Sequence, residues 1–120
     1  MDDEKIIELY LQRIEQAIDE TAAKYGRFLN GLAYNVLYSY EDAEECVNDT
    51  YMRTWNAIPP SRPTYFQAFI AKITRNIALD RYREKHRAKR GGDQTESCLE
   101  ELLELKISEL KIPENISFNY

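Results

Sequence analysis

Core-type positions recur at Ile7, Tyr10, Leu11, Ile14, Ala17, Ile18 and Thr21, at spacings of three and four, which predicts one amphipathic helix over residues 4–24. Asp2 and Asp3 suit its N-terminus, where the helix dipole favours negative charge. Tyr25-Gly26 interrupts the pattern, and Phe28, Leu29, Leu32, Ala33, Val36 and Leu37 begin a second stripe that ends near Tyr38. Gly31 lies inside that stripe. Glycine costs a helix interior roughly 1 kcal/mol relative to alanine, so a closely packed neighbour is expected there.

Ser39-Tyr40-Glu41-Asp42 has the form of a capping box and predicts a third helix to about Ala57. Ala43, Val47, Tyr51, Thr54 and Ile58 form its buried stripe, while Asp42, Glu45, Asn48, Asp49, Met52, Arg53 and Asn56 form a polar outer face. Pro59, Pro60 and Pro63 make residues 58–63 a stiff connector, because proline fixes its own φ and restricts the residue before it. Thr64-Tyr65-Phe66-Gln67 reads as a second capping box, opening a fourth helix that runs from about Tyr65 to about Lys89 and stops at Gly91-Gly92. At about 1.5 Å per residue it is roughly 37 Å long, more than a small core needs. Its stripe Phe66, Phe69, Ile70, Ile73 and Ile77 fades after Leu79 and Tyr82, so its second half is expected to project from the core. Residues 93–98 read as a polar linker, and Leu99, Leu102, Leu103 and Leu110 as a weaker helix ending at Pro113. No alternating pattern is long enough for a sheet. The expected architecture is all-α: a bundle of about four helices over residues 1–92, then an acidic linker or additional short helix over 93–120.

Composition sharpens this picture. The chain has 120 residues, 43% of them hydrophobic and 31% charged, with only four Gly and four Pro, which fits one compact domain. Its start, Met1-Asp2-Asp3-Glu4, is acidic, and no apolar run approaches the 18 or so residues of a membrane span. A cytoplasmic location is expected. Cys46 and Cys98 lack a CxxC spacing and are expected to be reduced thiols. His86, the single histidine, sits among Lys85, Arg87, Lys89 and Arg90, where a metal cation would be repelled. No metal or cofactor is expected.

The net charge of −5 hides a segregation: residues 1–57 carry −7, residues 72–90 carry +6 from eight Lys/Arg against two Asp/Glu, and residues 91–120 carry −5. A cationic segment inside an acidic chain suits a polyanion, though it also fits a solvated helix end neutralised by acidic neighbours. Nucleophile elbows, phosphate-binding glycine loops and HExxH are all missing from the sequence. Enzymatic catalysis is therefore not expected. Lys72, Arg75, Asn76, Leu79 and Arg83 share one face of the fourth helix, and Arg81, Lys85, Arg87, Lys89 and Arg90 extend its field. The cations can neutralise phosphates with counterion release. Asn76 can donate to and accept from a base edge, or simply bond water. Tyr65, beside Arg62 in the proline loop, suits stacking of an exposed base better than Phe66, which continues the core stripe.

Residues 25–90 closely resemble region 2 of bacterial RNA polymerase sigma factors, especially the small extracytoplasmic-function type. The resemblance is carried by Asp42-Ala43-Glu44-Glu45-Cys46-Val47-Asn48-Asp49-Thr50-Tyr51 with Trp55, then Phe69-Ile70-Ala71-Lys72-Ile73-Thr74-Arg75-Asn76, then Ala78-Leu79-Asp80-Arg81 and a basic tail. It implies that Asp42, Glu45, Asn48, Asp49 and Arg53 face the clamp helices of the largest subunit of core RNA polymerase. It also implies that Asn76 and the 61–66 loop, with Arg62 and Tyr65, line a base pocket for the non-template strand of the minus-ten promoter element. Lys72, Arg75, Arg81 and Arg83 would then hold phosphates. Phe69-Ile70 stands where the family often has Trp-Leu, and Asn48 where it usually has Gln. Residues 91–120 are too few and too acidic for the family's usual second, helix-turn-helix domain.

Three functions compete: a promoter-recognition and melting module, a sigma-like decoy that binds polymerase or an anti-sigma factor without opening promoters, and a duplex-binding regulator. The first requires Arg75 and Asn76 to be accessible and the fourth helix to be unbroken.

Overall fold

In a computed structural model, the described residues are 1–86 and a helix over 92–108, whose side chains are described from Cys98 to Ile107. They form α1 (Asp3–Leu11), α2 (Gln16–Leu37), α3 (Tyr40–Ala57), α4 (Phe66–Lys85) and α5 (Gly92–Ser108). Among the described residues there is no strand, so the all-α expectation holds. Among them, too, no helix is long and apolar enough to cross a membrane.

The single helix expected over 4–24 is two. Asp2 caps α1 by accepting from Lys5 N at 3.0 Å, and Ile6, Ile7 and Tyr10 are its buried face. The chain then turns at Arg13, whose φ is 60°. This left-handed conformation costs a non-glycine residue roughly 1–2 kcal/mol. Tertiary contacts offset that cost: Arg13 Nη1 donates to Trp55 O at 2.6 Å and Ile58 O at 2.8 Å, and its guanidinium lies 3.7 Å from the centre of the Trp55 ring. A cation thus caps carbonyls at the C-terminal end of α3, where the helix leaves them unbonded and the dipole is negative.

The expected interruption at Tyr25-Gly26 is absent, because Tyr25 is held from both sides. Its hydroxyl donates to the Asp3 carboxylate at 2.7 and 2.8 Å, and its ring packs on Phe66 with centroids 6.1 Å apart. Gly31 is not the site of close packing either. A Cβ there would meet nothing within 4 Å, whereas one at Gly26 would lie 3.4 Å from the Tyr51 hydroxyl. Tyr38, left-handed with φ 51°, ends α2, and Ser39 Oγ accepts from Asp42 N at 3.2 Å to start α3 as the capping pattern predicts.

α3 packs on α4 through a polar seam that hydrophobic spacing did not reveal. Thr50 Oγ1 and Thr74 Oγ1 are 2.9 Å apart, and each also lies 3.0 Å from the carbonyl four residues earlier in its own helix. Both threonines and the adjacent Cys46 are fully buried. The capping box expected at Thr64 does not form: the N-cap of α4 is Tyr65, with no side-chain cap bond.

α4 runs unbroken over its described length, to Lys85, and that part of its second half does not project. Leu79 is 2% exposed and Tyr82 packs against the core. The reason is α5. Residues 93–98, expected as linker, belong to a helix that begins at Gly92. Leu103 and Ile107 are buried against the bundle while Leu102 is 41% exposed. The expected reach of α4 to Lys89, the stop at Gly91, and Leu110 and Pro113 lie outside the described residues.

Candidate nucleic-acid interface

Three sides of α4 are committed to the core, from Phe66 through Ala68, Phe69, Ile70, Ala71, Ile73, Thr74, Ile77 and Ala78 to Leu79. The rest carries the cations. Lys72 Nζ lies 3.4 Å and Arg75 Nε 2.8 Å from the same oxygen, Glu104 Oε1 of α5. The Arg75 Nε–H points off the line to that oxygen, so the contact is ionic, and this buried nitrogen makes no hydrogen bond among the described residues. Further along, Arg83 reaches Asp80 Oδ1 at 3.1 Å and Glu100 Oε1 of α5 at 3.0 Å. Lys72, Arg75 and Arg83 therefore share a side, as their spacing implies, and that side faces α5. Arg75, with a side chain only 16% exposed, is less open than expected.

Asn76 is half-buried. Its Oδ1 accepts from Arg75 Nη1 at 2.9 Å, and because an arginine can only donate, this bond fixes the orientation of the amide. Tyr65 is 37% exposed, while Arg62 is open, with its guanidinium 3.9 Å from Glu8. Eleven residues of helix separate Tyr65 from Asn76, about 16 Å along the axis. The two residues therefore stand at different levels of the helix. The loop itself borders a depression lined by Asp3, Glu4, Ile7, Arg62, Pro63 and Thr64, which is acidic on its α1 side.

The acidic side of α3 is engaged with α4. Arg81 contacts Glu45 at 3.1 Å and also binds Asp49, and Lys85 binds Asp42. Arg81 thus stands apart from Lys72, Arg75 and Arg83, on the opposite flank of α4. Partial burial works against its charge, but the bonds from Asp49 and Glu45 outweigh it and raise its pKa. The hydrogen bond from Lys85, helped by the charge of Arg81, holds the Asp42 carboxyl below its ordinary value. Asn48, Met52 and Arg53 are exposed. They make an amide, thioether and guanidinium ridge beside these ion pairs.

The sequence model described as Sigma-70 region 2 matches residues 21–88, more than half of the chain. The chain belongs to this family. It is similar to the ECF RNA polymerase sigma factor SigE of Mycolicibacterium smegmatis, at 28% identity over 69 residues that cover 58% of this chain and 27% of that protein. The match thus spans about a quarter of the relative's length. No solved structure matches the chain.

Within this sigma-70 region 2 chain, the matched span starts at Thr21 inside α2 and takes in α3 and α4, so that α1 and α5 lie outside it. Two groups of functional neighbours escaped the sequence reading for that reason. Arg13 stands on the unmatched side, and nothing in its local pattern points to the end of α3. Glu100 and Glu104 did leave a signal: a −5 segment directly follows a +6 segment, and the two acids stand four residues apart, one helical turn. Among the described residues, no group of His, Cys, Asp and Glu is arranged to hold a metal ion.

Proposed function

We propose that this chain acts in transcription initiation, docking on core RNA polymerase through the outer face of α3 and holding the non-template strand of the minus-ten element along α4. The observation that carries this reading is the adjacency of two chemically distinct surfaces within the family-matched span. One is the ridge of Asp42, Glu45, Asn48, Asp49, Met52 and Arg53. The other is the track from Arg62 and Tyr65 past Lys72 and Arg75 to Asn76 and Arg83. Clamp helices of the polymerase's largest subunit would meet the ridge, and an anti-sigma factor would compete for it in the cytoplasm.

On the track, Lys72, Arg75 and Arg83 take phosphates, the Asn76 amide meets a base edge and Tyr65 offers a ring for stacking. Extruding a base from the duplex costs a few kcal/mol. Stacking returns about 1–3 kcal/mol per base, and phosphate contacts supply the rest of the melting free energy. A decoy that binds polymerase without opening DNA is favoured by one observation, the pairing of Lys72, Arg75 and Arg83 with carboxylates of the same chain.

Two measurements separate the readings. In a pull-down, E45R/D49R should lose core polymerase while remaining folded by circular dichroism, and undiminished capture removes the α3 assignment. With core enzyme and fluorescent oligonucleotides, wild type should prefer single strand carrying a particular minus-ten sequence, and N76A should flatten that preference. Polymerase binding with no strand preference selects the decoy, and binding of duplex alone, without polymerase, selects a duplex regulator.

A further inference from the structure

We infer that α5 is an internal occupant of the strand-binding face, its carboxylates standing where phosphates bind, so that nucleic acid and α5 compete for the same three cations. The inference rests on the reading that α4 carries the strand, and it adds the element that regulates access. Glu104 takes Lys72 and Arg75, and Glu100, one helical turn earlier, takes Arg83. The low-numbered end of the cationic face meets the high-numbered part of α5, so the two helices run antiparallel and the carboxylates follow the row of cations.

Two further observations separate a removable occupant from a core helix. The anchor of α5 among its described residues is three side chains: Leu103 and Ile107 are buried and Leu99 is partly buried against the core, while Leu102 and Leu105 are 41% and 63% exposed. The carboxylate side of its ion pairs is also partly open to solvent, with Glu100 at 39% and Glu104 at 49% exposure, where such pairs contribute little net stability. Arg75 completes the picture. Its buried Nε–H is close to Glu104 but makes no hydrogen bond, and a phosphate, with more acceptor oxygens than a carboxylate, could satisfy it. Since α5 lies outside the family-matched span, the occupant is an addition to the region 2 core.

A face that is open for only a fraction of the time binds with an affinity reduced by that fraction. The test uses the full chain without polymerase and a fluorescein-labelled oligothymidylate at fixed salt. E100Q/E104Q, which keeps both side-chain shapes, should bind about tenfold more tightly than wild type, as the open fraction rises. E101Q is the control, since Glu101 is exposed and makes no contact with α4 cations among the described residues; it should change affinity less than twofold. Hydrogen exchange across Leu99–Ile107 should accelerate in wild type when the oligonucleotide binds. Equal affinity of wild type and E100Q/E104Q, an equal gain in E101Q, no binding by any form, or unchanged exchange in α5 each overturns the inference. Promoter sequence and polymerase play no part in this assay. Absence of a minus-ten preference, with these results intact, overturns the proposed function alone.

Discussion

Replacing Arg13 tests how the bundle holds its proline loop in place, because this one side chain ties the α1–α2 corner to the end of α3. It makes two charge-assisted bonds, to Trp55 O and Ile58 O, and covers the Trp55 ring. Hydrogen bonds to charged groups contribute about 1.5–3 kcal/mol when buried, and the exposure of this residue brings each nearer 1 kcal/mol. The cation–π contact adds about 0.5–1 kcal/mol at an exposed site. R13A should therefore lose about 2–3 kcal/mol, and for a domain of this size about 4 °C accompanies each kcal/mol, giving a fall of roughly 10 °C in Tm. R13G loses the same contacts but relieves the positive φ of this position, a gain of about 1 kcal/mol over alanine. Urea titration of the three proteins at one temperature gives both differences. The reasoning is refuted if R13A stays within about 0.5 kcal/mol of wild type, the usual range for surface substitutions, or if R13G is less stable than R13A.

Three other outcomes follow from the interior and the α3–α4 seam. T74V should cost about 1 kcal/mol, while T50V/T74V should cost less than the sum of the two single changes, since removing both partners leaves no buried hydroxyl without its mate; additive urea-derived values would contradict the paired bond. Burial pushes the Cys46 thiol up to about 12, so a thiol-reactive disulfide at pH 8 should label Cys98 only in the native chain and both cysteines after denaturation. Because the folded value is raised, the neutral thiol contributes stability that is present below the ordinary thiol range and is lost as pH rises from about 9 towards 12; burial raises Tyr10 to about 12 as well, so alkaline unfolding should begin in that window, and flat stability there would count against both. Asp42 has the opposite sign: its depressed value means its contribution is present at neutral pH and fades as pH falls through the acidic carboxylate range. Carbon-detected NMR should place its midpoint below that of an ordinary aspartate, and K85A should bring it back.

Apolar spacing was enough to locate most of the bundle. The stripe from Phe66 to Ile77 is buried, Ser39 caps α3, and Lys72, Arg75 and Arg83 lie on one side of α4. What spacing could not supply was any feature created by contact across the chain. The turn at Arg13 depends on carbonyls more than forty positions away, and the continuity of α2 through Gly26 depends on Asp3 and Phe66 gripping Tyr25. The same limit applied to the functional faces. Period and charge placed the cations and the carboxylates on their helices, but their mutual distance is a tertiary property, so Arg81 appeared as part of a continuous positive field although Glu45 and Asp49 bracket it. Residues 93–98 looked like linker because polar composition at a helix start resembles a loop.

The bracket around Arg81, with the neighbouring Asp42–Lys85 pair, makes a charge substitution on α3 an edit to α4 as well. Reversing Asp49 would place two positive side chains face to face and expel Arg81 from its seat, so a lost interaction in that variant has two origins. Neutral changes such as D49N or E45Q keep the geometry while loosening the guanidinium, and comparing them with R81Q in a double-mutant cycle assigns the energy to one helix or the other.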